Sequence, residues 1–216
     1  MPTSPNGTVR TAIVTGGSRG LGRALTAALV ADGWEVVTDG RDVPALLRSG
    51  AATGAWTVPG DVTDPVHRSA LVAAAERRTG RLDLLVNNAG TLGPSPLPPL
   101  AEYPPADLRA VLEANVVAPL ALTQLALPLL HRAGGAVLNI TSDAAVAGYP
   151  GWGGYGASKA ALEQWSNVLA AEEPAVRVWW FDPGDMRTQM HQAAFPGEDI
   201  SDRPEAETVV PTLRPK

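Results

Sequence analysis

The sequence contains no cysteine, which excludes disulfide cross-links and thiol catalysis and fits a cytoplasmic protein. No uninterrupted apolar run approaches the roughly 18 to 20 residues of a membrane-spanning helix. The start, MPTSPNGTVR, lacks the apolar core of a signal peptide, and residues 1–9 are expected to form a disordered tail. Histidine is scarce: His67, His131 and His191 lie far apart, which argues against a zinc site, and no metal is expected. Positive charge is in deficit, with 17 Lys and Arg against 22 Asp and Glu. The net charge of −5 argues against a nucleic-acid surface.

What is present suits one globular core. The 216 residues are 45% hydrophobic and 18% charged, and residues 10–216 read as a single domain. Gly (22) and Pro (20) are frequent, and the Pro clusters GPSPLPPL and EYPPAD fall between periodic segments, where they mark loops. Short apolar runs read as six strands: TAIVT, WEVVT, AWTV, LDLLVN, AVLNIT and VRVWWF. Between them lie helical patterns, including a Leu21, Leu25, Leu29 stripe and a long segment over 107–130. Alternation of strand and helix predicts an α/β fold with a doubly wound parallel sheet.

The segment TGGSRGLG joins the first strand to the first helix. Gly16, Gly20 and Gly22 would let the backbone turn tightly and approach a pyrophosphate at the helix N-terminus, flanked by Ser18, Arg19 and Leu21. Counting from Gly33 places Gly40 at the tip of the second strand, with Arg41 next. An acidic tip would bind the ribose of NAD; a small residue followed by Arg leaves room and charge for a 2′-phosphate, with Arg19 as a second cation. This favours NADP over NAD, although a register shifted by one residue would put Asp39 at the tip. The alternative for Arg41 is a solvated surface residue. Asp61 and Val62 follow the third strand and are candidates for the adenine, Asp61 being nearly as well read as a turn former. Asn87, Asn88, Ala89 and Gly90 follow the fourth strand, at the sheet edge where such folds bind ligands.

Tyr155 and Lys159 are four residues apart on one helical face. A phenol titrates near ~10, and an adjacent ammonium is expected to lower that value. A hydride arriving at a carbonyl leaves an alkoxide, which Tyr155 would protonate while Ser142 donates to the same oxygen. Asn115 sits inside a helix four residues before Pro119. Pro119 has no amide hydrogen, so the Asn115 carbonyl is expected to lack its helical partner. A kink made only for packing explains the same pattern.

In this order TGGSRGLG, NNAG, Asn115, Ser142 and YGASK resemble the short-chain dehydrogenase/reductases, over about residues 10–188. The resemblance implies a Rossmann-like fold, an NAD or NADP cofactor, and a tetrad of Asn115, Ser142, Tyr155 and Lys159. Ser142 precedes Tyr155 by thirteen residues, the spacing expected of the family. The resemblance also implies that Lys159 bonds the nicotinamide ribose, that a water on the Asn115 carbonyl relays protons to it, and that Pro183, Gly184 and Thr188 contact the nicotinamide end. Family members often pair as homodimers through the helices carrying Asn115 and Tyr155, where Leu162, Trp165 and Leu169 would form the face.

The substrate pocket is expected at Asp143, Tyr149, Trp152 and Met186, with Leu92, Ala144, His191 and Phe195 nearby. Its apolar character suggests a small-molecule carbonyl or alcohol on a ring or hydrophobic chain. Asp143 departs from the small residue expected there; it faces away or reads a polar group. No seventh strand is visible, so the sixth would be a sheet edge carrying two tryptophans, covered by a partner, by a tail helix near 204–213, or by residues beyond a truncation. The leading expectation is an NADP-dependent carbonyl reductase or alcohol dehydrogenase. A nucleotide sensor without turnover, or an epimerase or dehydratase of the same fold, are the alternatives.

Overall fold

Alternate residues of the central strands face opposite sides of the sheet, and both sides are apolar. In β1 (Thr11–Val14), Ala12 and Val14 enter one core layer and Ile13 the other. In β4 (Leu84–Asn87), Leu84 and Val86 oppose Leu85, and in β5 (Ala136–Ile140), Ala136 and Leu138 oppose Val137. Strands that are apolar on both faces must be covered twice, which is the requirement of a parallel sheet between helical layers.

A computed structural model describes residues 9–213 and supplies those layers. With β2 (Glu35–Gly40), β3 (Trp56–Pro59) and β6 (Arg177–Phe181), all six strands run parallel in the order β3-β2-β1-β4-β5-β6. The chain winds outward from β1 to β3, returns to β4, and winds the other way. The reversal between β1 and β4 opens a crevice at the carboxyl edge of the sheet. The fold is the α/β, Rossmann-like architecture expected.

Helix α1 (Gly20–Ala31) packs Leu21, Leu25 and Leu29 on one sheet face. The opposite face is covered by α3 (Pro65–Thr79) and α5 (Ala118–Ala133), through Leu71, Leu122 and Leu130. Helix α2 (Val43–Thr53) links β2 to β3 and is capped by the Asp42 side chain on Ala45 N–H; α3 is capped by Asp64 on Val66 N–H. Helix α6 (Gly153–Glu172) lies between β5 and β6, with Ser166 Oγ accepting a bond from Asn139 Nδ2 at 2.7 Å.

The long segment expected over 107–130 extends from α4 (Pro105–Leu112) through one wide π turn, Glu113–Val117, into α5. The Ala118 N–H reaches back five residues, to the Glu113 carbonyl. Pro119 is thus accompanied by a widened turn, where the sequence suggested an α-helix with one unpaired carbonyl. This joined helix, Pro105–Ala133, meets a span test that no uninterrupted run of the sequence meets. By length and composition alone it is long and apolar enough to cross a bilayer, an 18-residue stretch of it having a mean hydropathy of 1.5. Charged residues interrupt its linear runs, yet its apolar side chains merge when wound; that apolar side packs on the sheet, which is how a core helix passes the same test.

Beyond β6, the sequence indicates one short helix, and α7 (Gln189–Ala194) and α8 (Ala206–Leu213) are both present. Helix α8 packs on α1 and inserts Ala206 and Val210 into the layer that holds Trp34, Trp179 and Phe181. It therefore covers a face of the sheet, while the outer backbone edge of β6 has no strand beside it among the described residues. Trp180 is 40% exposed and donates its indole N–H to Asn167 Oδ1 at 3.1 Å. Of the three residues expected on the outer face of α6, Leu162 is instead buried at 1% exposure, because its position turns it toward the sheet; Trp165 and Leu169 line a groove between α5 and α6. The expected tail lies, for residues 1–8, outside the described residues.

Val210 is 3% exposed within this layer. Val210→Asp is expected to lower unfolding stability by roughly 3 kcal/mol, because an unpaired carboxylate replaces a packed side chain. Chemical denaturation followed by circular dichroism measures it; an unchanged midpoint would mean that α8 does not belong to the core.

Candidate active site

The crevice between the two halves of the sheet is a cleft of about 1110 Å³. Its floor begins at the glycine loop. Gly16 adopts φ +74°, a left-handed conformation that side chains rarely take. A Cβ on Gly22 would lie 2.4 Å from both the Gly16 carbonyl and Asn88 Nδ2, so the helix start can approach the loop only as glycine. At the N-cap of α1, Arg19 makes no side-chain capping bond, and the first turn carries no acidic residue. The capped starts of α2 and α3 contrast with it. An open helix N-terminus facing a cleft past glycines suits a pyrophosphate, so the residues present fit a dinucleotide.

The tip of β2 resolves the register. Gly40 is the last residue of the strand and Arg41 follows it, with Arg41 Nη1 3.7 Å from Asp61 Oδ2. Asp39 does not stand free in the cleft. It is buried at 1% exposure, with Oδ1 accepting from Gly16 N–H at 2.6 Å and Oδ2 2.9 Å from His67 Nε2. Asp61 is committed as well, accepting at Oδ1 from Thr63 N–H and Oγ1 at 3.0 and 2.9 Å. Burial opposes its charge, but those bonds, Arg41 and His67 together hold its carboxyl below the usual range. Arg19 bridges Asp42, at 2.8 Å, and the Gln189 side chain. Ser18, Leu21, Val62, Asn88, Ala89, Gly90, Pro183, Gly184 and Thr188 all line the same cleft.

At the other end lie Ser142, Tyr155 and Lys159, all lining the cleft. Ser142 follows β5; its hydroxyl donates to Asp143 Oδ1 at 3.1 Å and accepts from Ala144 N–H at 3.2 Å. Tyr155 is buried in the first turn of α6, edge-on to Trp152 with ring centroids 5.7 Å apart. Lys159, one turn on, donates to the Ile140 carbonyl at 2.8 Å. Asn115 does not line the cleft. Its amide oxygen accepts from Thr91 N–H and its Nδ2 donates to Thr91 O, both at 2.8 Å, and Nδ2 also donates to Ser158 Oγ at 2.9 Å. A Cβ on Gly90 would come within 3.0 Å of Asn115 Oδ1 and 3.9 Å of Lys159 Nζ, so the chain after β4 threads between them.

Comparison with known proteins identifies the family. The family model described as short chain dehydrogenase matches residues 10–199. The chain belongs to the short-chain dehydrogenase/reductase family. An L-fucose dehydrogenase of Mus musculus is 35% identical over 181 residues, covering 82% of this chain and 66% of that protein. A serine 3-dehydrogenase of Rhizobium radiobacter is 33% identical, covering 83% and 73%. Among solved structures, a short chain dehydrogenase of Shigella flexneri complexed with NADP superposes with a TM-score of 0.86 at 31% identity, covering 95% and 89%. The chain spans about two thirds of the length of several curated relatives it matches.

Within this short-chain dehydrogenase fold, the electrostatics depart from the sequence expectation in one respect. The net shift of the Tyr155 phenol is upward, not downward. Burial pushes that phenol well above the ordinary range, with Asp182 and Asp143 adding to the rise. The ammonium, 5.4 Å from the Tyr155 ring centroid, is itself pulled down to about 8 by burial. Helical spacing predicted proximity correctly, but it carries no information on desolvation, which here is the larger effect.

Of the expected pocket residues, Asp143, Trp152 and Met186 line the cleft, and Leu92 and His191 join them. Tyr149 does not; it stands 47% exposed at the rim, its hydroxyl donating to Asp143 Oδ2 at 2.9 Å. Its glycine-flanked loop gives no periodic signal of direction. Phe195 packs on Trp152 and His191 from outside the lining, and Ala144 is buried beside Tyr155. Sequence reasoning missed three supporting groups. Thr15 Oγ1 receives the amides of Asn88 and Ala89, Ser158 links Asn115 to the Tyr155 carbonyl, and His67 holds Asp39. Except for the local bond from Ser158 to the Tyr155 carbonyl, each of these bonds joins segments that only folding brings together.

The buried ammonium of Lys159 sets a measurable cost. Its proton is held more tightly in the unfolded chain than in the fold, so stability rises with pH between about 8 and the ordinary value of 10.5. Below pH 8 the cost is fully present. Lys159→Met is therefore expected to stabilise the protein at pH 7 by about 2 kcal/mol, after loss of the bond to Ile140 is set against it. The gain should shrink at pH 9.5. Urea denaturation at both values checks it; a gain independent of pH would contradict the assignment.

Proposed function

We propose that this chain is a cytoplasmic, NADP(H)-dependent oxidoreductase that interconverts a ketone and a secondary alcohol. The observation that carries the reading is the convergence of Ser142, Tyr155 and Lys159 on a cleft whose other end is an uncapped, glycine-lined helix start. Gly16, Ser18, Gly20, Leu21 and Gly22 would hold the pyrophosphate, with Asp61 and Val62 beside the adenine. Arg41, with Arg19, would hold the 2′-phosphate, for which the Gly40 tip leaves room. The NADP complex of the Shigella flexneri relative supports this choice. Asn88, Ala89, Gly90, Pro183, Gly184 and Thr188 would line the nicotinamide half.

When bound, the nicotinamide supplies or accepts the hydride. The chain's own residues handle the proton. Ser142 Oγ donates to the carbonyl oxygen and stabilises the charge that develops on it. Tyr155 Oη then gives its proton to that oxygen. Burial keeps the phenol protonated at working pH, and the protonated form is the one that reduction uses; oxidation must draw on the phenolate, which burial opposes. Lys159 would supply a positive charge to the phenolate and the ribose. Asn115 acts as a positioning residue, clamping Thr91 to α6. Trp152, Met186 and Leu92 favour an apolar or cyclic carbonyl, and Asp143 offers one polar contact. Relatives named for L-fucose and serine support the alcohol or carbonyl class rather than one substrate.

The test is NADPH oxidation followed by absorbance across a panel of ketones and aldehydes. Turnover is expected, and Tyr155→Phe should lower kcat by about 10³-fold or more while leaving the NADPH Kd within threefold, since the lost group acts on the proton. Tight NADPH binding with no turnover on a broad panel would make the chain a nucleotide sensor instead.

We further propose that two copies pair across α5 and α6. Support comes from Val117, Leu125 and Val168, each more than 40% exposed, and from the apolar groove between these helices. Sedimentation velocity is expected to give a dimer, converted to a monomer by Val168→Asp. A wild-type monomer at micromolar concentration would end this proposal.

A further inference from the structure

The cofactor reading leaves an electrostatic problem. Asp39 is a carboxylate one residue before the Gly40 tip of β2, below the place assigned to an anionic 2′-phosphate. Its burial is nearly complete, and a buried carboxylate without partners is strongly unfavourable. One oxygen takes a backbone N–H from Gly16, in the loop assigned to the pyrophosphate. The other takes the ring of His67, its one side-chain hydrogen-bond partner among the described residues.

His67 is built into that position. It lies in the first turn of α3, which starts at Pro65 under the Asp64 cap and faces back toward β2. The ring rests on Gly60, where a Cβ would come within 2.2 Å of His67 Nδ1, so this contact requires glycine. The surrounding charges are otherwise paired or turned aside. Asp61 faces Arg41, Arg19 holds Asp42, and Arg68 Nη1 donates to the Val62 carbonyl at 2.7 Å. Asp39 is the carboxylate whose influence on the tip depends on one neighbour.

Resting on the NADP reading, we propose that His67 is a cofactor-specificity residue. By holding and offsetting the Asp39 carboxylate beneath the loop, it lets the Gly40–Arg41 tip accept a 2′-phosphate. Without it, the carboxylate would be free to repel that phosphate or to turn toward an unsubstituted ribose, and preference would shift toward NADH. A purely structural role would weaken both nucleotides together. The ratio of their dissociation constants separates the two cases.

The experiment is fluorescence titration of NADPH and NADH against the wild type, His67→Leu, and the double variant Asp39→Asn with His67→Leu. The expected result is a wild-type preference for NADPH that falls at least tenfold in His67→Leu and returns to within threefold of wild type in the double variant. If the single variant does not fold, the double variant decides, since it buries no unpaired carboxylate: a wild-type ratio supports the proposal, and a ratio tenfold lower overturns it. An unchanged ratio in a folded His67→Leu also overturns it. A wild type that prefers NADH overturns the NADP reading and this inference with it.

Discussion

The ends of β1 and β4 part at the centre of the sheet, and Thr15 ties them where they do. Its hydroxyl receives the amides of Asn88 and Ala89, and its carbonyl receives Asn88 Nδ2 at 2.7 Å. That knot is needed because the chain winds in opposite directions from the two strands, leaving backbone amides at the crevice with no strand to pair them. It holds the glycine loop and the NNAG segment at one spacing. Everything assigned to the dinucleotide hangs on that spacing, since Gly16 and Gly22 are already at the limit of approach. A second polar chain, Asn87 to Asn139 to Ser166, continues it beneath β4, β5 and α6.

The chemical end is arranged on different terms. The Asn115 side chain joins Thr91 to Ser158 from within the widened turn at Glu113–Val117. Lys159 carries an ammonium into a buried position at the cleft wall, where it donates to one carbonyl. A core chosen for stability alone would hold an apolar side chain there. Under the proposed function, Lys159 is kept there for what it does to a reactant, with stability given up for chemistry.

Pocket and specificity follow from loops, as is usual for this architecture. Asp143 takes up two hydroxyls, those of Ser142 and Tyr149, so a carboxylate beside the proposed reacting centre already has partners within the chain. At the adenosine end, Asp39 is likewise turned into the protein. Both acidic residues stand at the edge of a site assigned to anionic or developing negative charge, and each is restrained by neighbours that supply hydrogen.

The order of the six strands and the helices between them, the glycine loop, and the Tyr155–Lys159 pair were legible in the residues; the helix Gln189–Ala194 was not. Their signals are local: apolar runs of strand length, glycines between a strand and a helix, and a four-residue spacing. The place of Gly40 at the β2 tip also came from counting along one strand. The partnership of Asp39 with His67, the burial of Leu162, the displacement of Tyr149 to the rim and the raised phenol of Tyr155 were not legible. Each depends on atoms brought from distant segments and on how much water the fold removes. Sequence alone therefore determined which groups lie near one another along an element; tertiary structure decided which face they present and what charge they can bear, because desolvation and long-range hydrogen bonds exist only once the layers have packed.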